Sequence, residues 1–449
     1  MKIPCIERLP FLVDGLSFLR TVFTKSQFNN LTLIATALVV GSRFSLTEIH
    51  RMWLKEKAIS TLSWFLSDAK FSTDEMQQLY ALQVLHRYKI KKGYFIIDDT
   101  MMHHSKFCKW IHGVFVLFDH ALHTNLKAIC ITVLYYSNGA DNKAALTFRI
   151  YYQEDSKMPW SKNKTVVCKK KYELAAEMLE WALKTGYPPC IVLADSWFCS
   201  EPFIKLLKGL KLHYVMEMKS SLNIKVPCAE PKRTPTGRLA KNQYNLQQTV
   251  DFFASILHFI PCGFAADIKT GKPAKIVYHT KTITTRLNAI PGKHRIVESI
   301  NPDKQTAKYF LTDQLNWEAS RIIIVYSYRW AIEEFFRNAK QLLDMEGASV
   351  RSEQGVTTTL CLVFCVDFLL HLERCKSTAD DSSRESQTIP AIIRRFQYKN
   401  LEAFIEKIQT DETFVSKWLN VEKEFIHRER KKRNELITFD QKAELPLAA

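Results

Sequence analysis

None of the eleven cysteines stands at Cys-x-x-Cys spacing from another, and their odd number in a chain without an export signal argues against a disulfide framework. Zinc is not expected either: Cys361 and Cys365, four apart in an apolar stretch, read as small buried hydrophobes. The first residues carry Lys2, Glu7, Arg8 and Asp14 among apolar side chains, so no signal-peptide core is expected there. The longest apolar run, Leu360 to Leu372, is interrupted by Asp367 and His371 and is too short to span a bilayer. There is no P-loop, no glycine-rich nucleotide fingerprint and no internal repeat, so ATP-driven chemistry is not indicated. The expectation is a soluble intracellular protein with no membrane partner.

What the chain has in excess is positive charge. With 63 Lys and Arg against 46 Asp and Glu, the net charge of +17 points to a polyanionic partner, nucleic acid ahead of membrane. At roughly 150 residues per domain, the length implies two or three domains.

Residues 1–90 read as helices. Ser45-x-x-Glu48 and Ser72-x-x-Glu75 are capping boxes opening Leu46–Lys55 and Thr73–Tyr88, with a short helix Ala58–Leu66 between them. Flanked by Arg43, Arg51, Lys55 and Lys57, these short helices suit either a helix-turn-helix reader of DNA or a packing domain with a charged surface. From Tyr94 the pattern changes. Tyr94–Ile97 runs into Asp98-Asp99-Thr100, and Gly113–Phe118, Leu126–Tyr136 and Ala144–Tyr152 read as strands. A helix Tyr172–Lys184, a short apolar strand Cys190–Ala194 ending on Asp195, a helix Glu201–Leu210 and a strand Leu212–Met218 follow. Three strands, helix, strand, helix, strand fits an α/β, RNase H-like catalytic core with a mixed sheet, at about residues 91–375. The strands ending on Asp98 and Asp195 would then lie side by side.

A β-rich insertion, about 219–315, interrupts that core. From Lys269 to Lys308 it holds nine Lys and Arg against Glu298 and Asp303, an excess suited to tracking a phosphate backbone. Residues 376–389 read as a polar linker and 390–449 as a C-terminal helical region opening at Pro390.

The segment Tyr326–Lys340 predicts one helix with two faces. At about 100° per residue, Tyr326, Arg329, Glu333 and Lys340 fall within roughly 60° of one another, whereas Glu334 lies outside the stripe. Ile332, Phe335, Phe336 and Ala339 form a separate apolar face that docks the helix. A carboxylate between cations suits phosphate chemistry with a divalent metal; the plainer reading is an i,i+4 ion pair on a helix surface. Asp98 and Asp195 at strand ends supply the partner carboxylates that favour the first.

The spacing Tyr326, Arg329, Glu333, Lys340 resembles the Y-R-E-K signature of DDE-type bacterial transposases of the insertion-sequence-four family, and Asp98-x-Thr100 and Asp195-x-x-Phe198 resemble that family's aspartate motifs. The resemblance covers roughly Tyr94–Leu372. It implies that Asp98, Asp195 and Glu333 are the catalytic, metal-holding triad for two Mg²⁺ or Mn²⁺ ions, and that Tyr326, Arg329 and Lys340 contact transposon-end DNA. It further implies an N-terminal DNA-end-binding domain at 1–90, a homodimer on double-stranded DNA, and a bacterial cytoplasmic protein working at the nucleoid. Such an enzyme cuts element ends and joins the 3′-ends to target DNA. A catalytically silent DNA-binding regulator and an RNase H-like nuclease without strand transfer are the alternatives. The doublet Asp98-Asp99 leaves two choices for the first acid; Asp98 fits the Asp-x-Thr pattern. His103 and His104 read as DNA-facing or incidental, and Trp197 and Trp330 as packing residues.

Overall fold

The computed structural model describes residues 2–105, 108, 110–119, 122–153, 167–240, 243–266, 273–303, 306–347, 350–380 and 388–443. Lys269, Lys272 and Lys304 of the basic insertion, residues 381–387 of the expected linker, and the last six residues lie outside them. Along the chain come helices α1 (Pro10–Gly15), α2 (Lys25–Gly41), α3 (Leu46–Met52), α4 (Ile59–Ser67) and α5 (Thr73–Tyr88). Next are β1 (Tyr94–His103), β2 (Phe115–Asp119), β3 (Thr124–Ser137), β4 (Lys143–Tyr151), α6 (Lys171–Lys184), β5 (Ile191–Ala194), α7 (Glu201–Gly209) and β6 (Tyr214–Met218). The insertion contributes β7 (Asn223–Pro227), β8 (Tyr244–Gln248), α8 (Thr249–Ala254), β9 (Ile260–Ala266), β10 (Pro273–Leu287), β11 (Lys293–Asn301) and β12 (Thr306–Thr312). The chain closes with α9 (Ala319–Ser327), α10 (Trp330–Gln341), α11 (Glu353–Asp380), α12 (Ile389–Thr410) and α13 (Glu412–Ala443).

These elements form two compact units. The helical unit comprises Met1–Leu79, Trp110–His112 and Arg337–Ala449; the sheet unit comprises Tyr80–Lys109 and Gly113–Phe336. Within the helical unit the two ends of the chain share a core. Leu54 clusters with Val421 and Phe425, and the buried Arg51 guanidinium donates through Nε and Nη2 to both oxygens of Glu422, each at 2.7 Å. Lys55 pairs with Glu424. Two cations that suggested a DNA reader are therefore spent on packing the N-terminal helices against α13. Local chemistry also differs from expectation here. Ser72 Oγ caps α5 through the Glu75 N–H, but Ser45 makes no cap bond, and a full capping box sits instead at Thr24 and Gln27 ahead of α2. α3 stops at Met52, short of Lys55, because Leu54 and Lys55 take left-handed backbone angles. α11 is longer than the apolar run suggested: 24 of its residues, Glu353–Lys376, meet the length and hydropathy of a membrane span, yet 89% of the 18-residue apolar stretch within it is buried in the protein, as in a core helix.

In the sheet unit the described strands form one twelve-stranded sheet in the order β2-β3-β1-β5-β6-β12-β11-β10-β7-β8, with β4 on β3 and β9 on β10. β1 runs antiparallel to β3 and parallel to β5, which is parallel to β6. With β4 on the far side of β3 and α6 and α7 as crossovers, this is the RNase H-like core. Phe95–Ile97 and Val192–Ala194 are buried without alternation because central parallel strands are covered on both faces. The insertion does not stand apart from this core: β12 pairs with β6, so the inserted strands extend the same sheet.

Candidate active site

The parallel register places Ile97 opposite Ala194. The next residue in each case is an aspartate, so Asp98 and Asp195 stand at the same level of the sheet. Only Asp195 follows a strand end: β1, expected to stop at Asp98, continues to His103, because its pairing with β3 runs on through that residue. Asp195 is fixed by the turn that follows β5: its Oδ1 accepts the N–H groups of Trp197 and Phe198 at 3.0 and 3.4 Å. Asp98 Oδ1 accepts the Asp99 N–H at 2.9 Å. Burial pushes Asp98 up to about 7; Arg329 pulls the other way, while the neighbouring charges of Asp195 and Asp99 add to the rise. Asp195 is raised too, again chiefly by burial and against the pull of Arg329. For both acids, then, lost hydration of the charged form outweighs the compensating guanidinium.

Asp99 is directed elsewhere. Its Oδ2 accepts the Lys171 ammonium at 2.8 Å and lies 3.6 Å from the Cys130 thiol. Lys171 in turn lies over the rings of Tyr151 and Trp197, 5.5 and 5.2 Å from their centroids. The alternation of a strand separates the two aspartates into these different environments.

The expected helix Tyr326–Lys340 is two helices, and the break falls within the motif. α9 ends at Ser327 and α10 begins at Trp330. Around the junction, N–H groups reach back three residues rather than four: Tyr328 to Val325, Arg329 to Tyr326, Ala331 to Tyr328 and Ile332 to Arg329. Ser327 Oγ donates to the Ile324 carbonyl at 2.6 Å. The Tyr328 ring packs on Tyr94, 5.0 Å between centroids, and fills the space left by Gly139, where a Cβ would lie 2.9 Å from that ring. Gly139 has φ +81, in the left-handed region glycine favours. On α10, Ile332 and Phe335 are buried, Phe335 against Tyr135.

This junction delivers Arg329 between two acids. Its Nη1 donates to Asp98 Oδ2 at 2.7 Å and its Nη2 to Glu333 Oε1. Burial opposes the charge on Arg329, but Tyr326, Asp98, Glu333 and Asp195 outweigh it and raise its pKa. Tyr326 is buried, with its ring on Phe310, and its hydroxyl donates to Glu217 Oε2 at 2.9 Å. Glu334 faces away and pairs with Lys143 at 3.1 Å. Lys340 belongs to the helical unit and pairs with Glu346 at 3.0 Å. The structure thus gathers Asp98, Asp195, Glu333, Arg329 and Tyr326 in one unit.

Among the described residues, no three His, Cys, Asp or Glu side chains converge closely enough to hold a metal ion as they stand. The Arg329 guanidinium, wedged between Asp98 and Glu333, occupies the place where their charges meet. The donor set still suits a hard divalent cation: it offers carboxylate oxygens, and Asp98 and Glu333 already share one cation, the Arg329 guanidinium. His103 is engaged with Asp119 at 2.8 Å. Trp197, expected to pack, is 48% exposed. In the insertion, Lys281 pairs with the buried Glu298 and Lys308 with Glu217, so part of its basic excess is neutralised within the sheet. Glu217 was missed in sequence; its signal is a lone acid in the apolar strand Tyr214–Met218.

A family model described as DDE superfamily endonuclease matches residues 19–251, more than half of the chain, and one described as Transposase DDE domain matches residues 169–369. No curated protein matches the chain.

Proposed function

The chain belongs to the DDE superfamily endonucleases, and from that premise we propose that it is a transposase of the insertion-sequence-four type that cuts the ends of its element and joins the freed 3′-ends to target DNA. The observation that carries this reading is the pair Asp98 and Asp195, level on adjacent parallel strands, with Glu333 tied to Asp98 through one guanidinium. Asp98, Asp195 and Glu333 would hold two Mg²⁺ or Mn²⁺ ions, and such ions would supply activation of an oxygen nucleophile and stabilisation of the leaving oxygen in an in-line phosphoryl displacement.

The chain's own residues position and neutralise. Arg329 satisfies two carboxylates while DNA is absent; a phosphate offers the same fork a bidentate partner, and turning to it releases Asp98 and Glu333. Tyr326 backs Arg329 from below, its ring 5.8 Å from the guanidinium carbon, and Lys340 adds a second cation for the element's end. The strands of the insertion track the phosphate backbone, and the N-terminal helices, packed with α13, read the ends. The working form is a homodimer on double-stranded DNA in the bacterial cytoplasm, at the nucleoid.

The test is to incubate the purified protein with duplexes carrying the DNA that flanks its gene, with Mg²⁺, with Mn²⁺ and with a chelator. Metal-dependent cuts at inverted repeats, followed by joined products, are expected. Cuts without joining would leave a nuclease, and metal-independent occupancy of the ends without cuts would leave a regulator.

A further inference from the structure

The acidic row that crosses β1 and β5 has a third member. β5 and β6 are parallel with Ala194 opposite Met216, so Asp195 and Glu217 are level, as Asp98 and Asp195 are. Three carboxylates therefore stand side by side across β1, β5 and β6, at a strand spacing of about 4.8 Å, with the outer two roughly 10 Å apart. The α9–α10 junction is fastened to both ends of this row. Arg329 donates to Asp98 at one end, and Tyr326, three residues earlier, donates to Glu217 at the other.

Glu217 is held in its turn. Its Oε2 also takes the Lys308 ammonium at 2.8 Å, from the strand next to β6, and its cross-strand partner Phe310 supplies the ring under Tyr326. We propose that Glu217 is a positioning residue of this site: by anchoring Tyr326 to β6 it fixes the break between α9 and α10, and so sets where Arg329 stands relative to Asp98 and Glu333. It touches no reacting atom and acts through Tyr326 and Arg329. The inference rests on the proposed chemistry for its catalytic consequence, but its structural half stands without it.

The experiment has two arms. In the first, amide hydrogen exchange is followed across Tyr326–Ile332 in the full-length protein without DNA. Glu217→Ala should speed exchange there about tenfold with an unchanged melting temperature, Tyr326→Phe should do the same, and Glu217→Gln, which still accepts the hydroxyl, should restore most of the protection. In the second, cleavage rates are measured for Glu217→Ala, Arg329→Ala and the double variant. Glu217→Ala alone should lower the rate about tenfold or more, and less than about twofold further in the Arg329→Ala background, because residues acting through one another are not additive. Should the alanine variant fail to fold, Tyr326→Phe carries both arms. Unchanged exchange, or a loss that multiplies with that of Arg329→Ala, overturns the proposal. Absence of cleavage by the wild type would overturn the transposase reading instead, and the exchange arm would still decide the role of Glu217.

Discussion

Replacing Asp98 by Asn should abolish cleavage and, in metal-free buffer, make the protein more stable. Burial lifts Asp98 from 3.8 to about 7, and the opposing pull of Arg329 is already contained in that balance. An acid whose folded pKa lies above its unfolded one binds its proton more tightly in the folded state. Its contribution to stability is therefore fully present below the unfolded pKa and is lost as pH rises through the folded pKa. A rise of roughly three units, at about 1.36 kcal/mol each, gives a ceiling of about 4 kcal/mol lost once the pH exceeds 7. Asn carries no charge at any pH and escapes that loss. Chemical denaturation with a chelator present should thus show Asp98→Asn more stable than wild type at pH 8, with the difference approaching that ceiling, and shrinking below about 1 kcal/mol near pH 4. Adding Mg²⁺ or Mn²⁺ at pH 8 should raise the midpoint of the wild type and not of the variant, since a ligand of the folded state stabilises only where it binds. A variant less stable than wild type at pH 8, or a difference that ignores pH, would refute the reasoning.

Glu333→Gln should remove metal-dependent cleavage while end binding survives, whereas Glu334→Gln, which loses only a partly buried pair with Lys143, should keep most activity and change stability by about 1 kcal/mol; gel assays of cutting and binding on both variants decide it. Asp99→Asn should retain measurable nicking, since its carboxylate serves Lys171, and complete loss with folding intact would move the first catalytic acid to Asp99. Glu422→Gln should destabilise the helical unit by about 3–5 kcal/mol, because it strands a buried guanidinium, and urea unfolding followed by helical signal reads this directly. For the same reason, removing residues 1–79 should lower the helicity of α13 as well as end discrimination.

Several features follow from local chemistry and were legible in the chain. Tyr94–Ile97 and Ile191–Ala194 are continuous apolar runs of the kind central parallel strands need, and each is followed by an aspartate; the order of elements could be read from such local patterns, and the nearness of β1 and β5 from the RNase H-like fold that this order fits. That Glu333 and not Glu334 faces Arg329 follows from a separation of four residues on a helix, and the ion pair is there. What the tertiary structure alone decided is non-local. No Gly or Pro marks the break between α9 and α10; it is made by the Tyr328 ring settling on Tyr94 and beside Gly139, and by Glu217, 109 residues away in sequence, holding Tyr326. The insertion was legible as basic and β-rich, but that β12 pairs with the edge of β6 depends on geometry that no local pattern encodes. Arg51 looked like a cation for DNA because its partner lies 371 residues along the chain; only folding brings Glu422 to it, and burial then makes that pair structural.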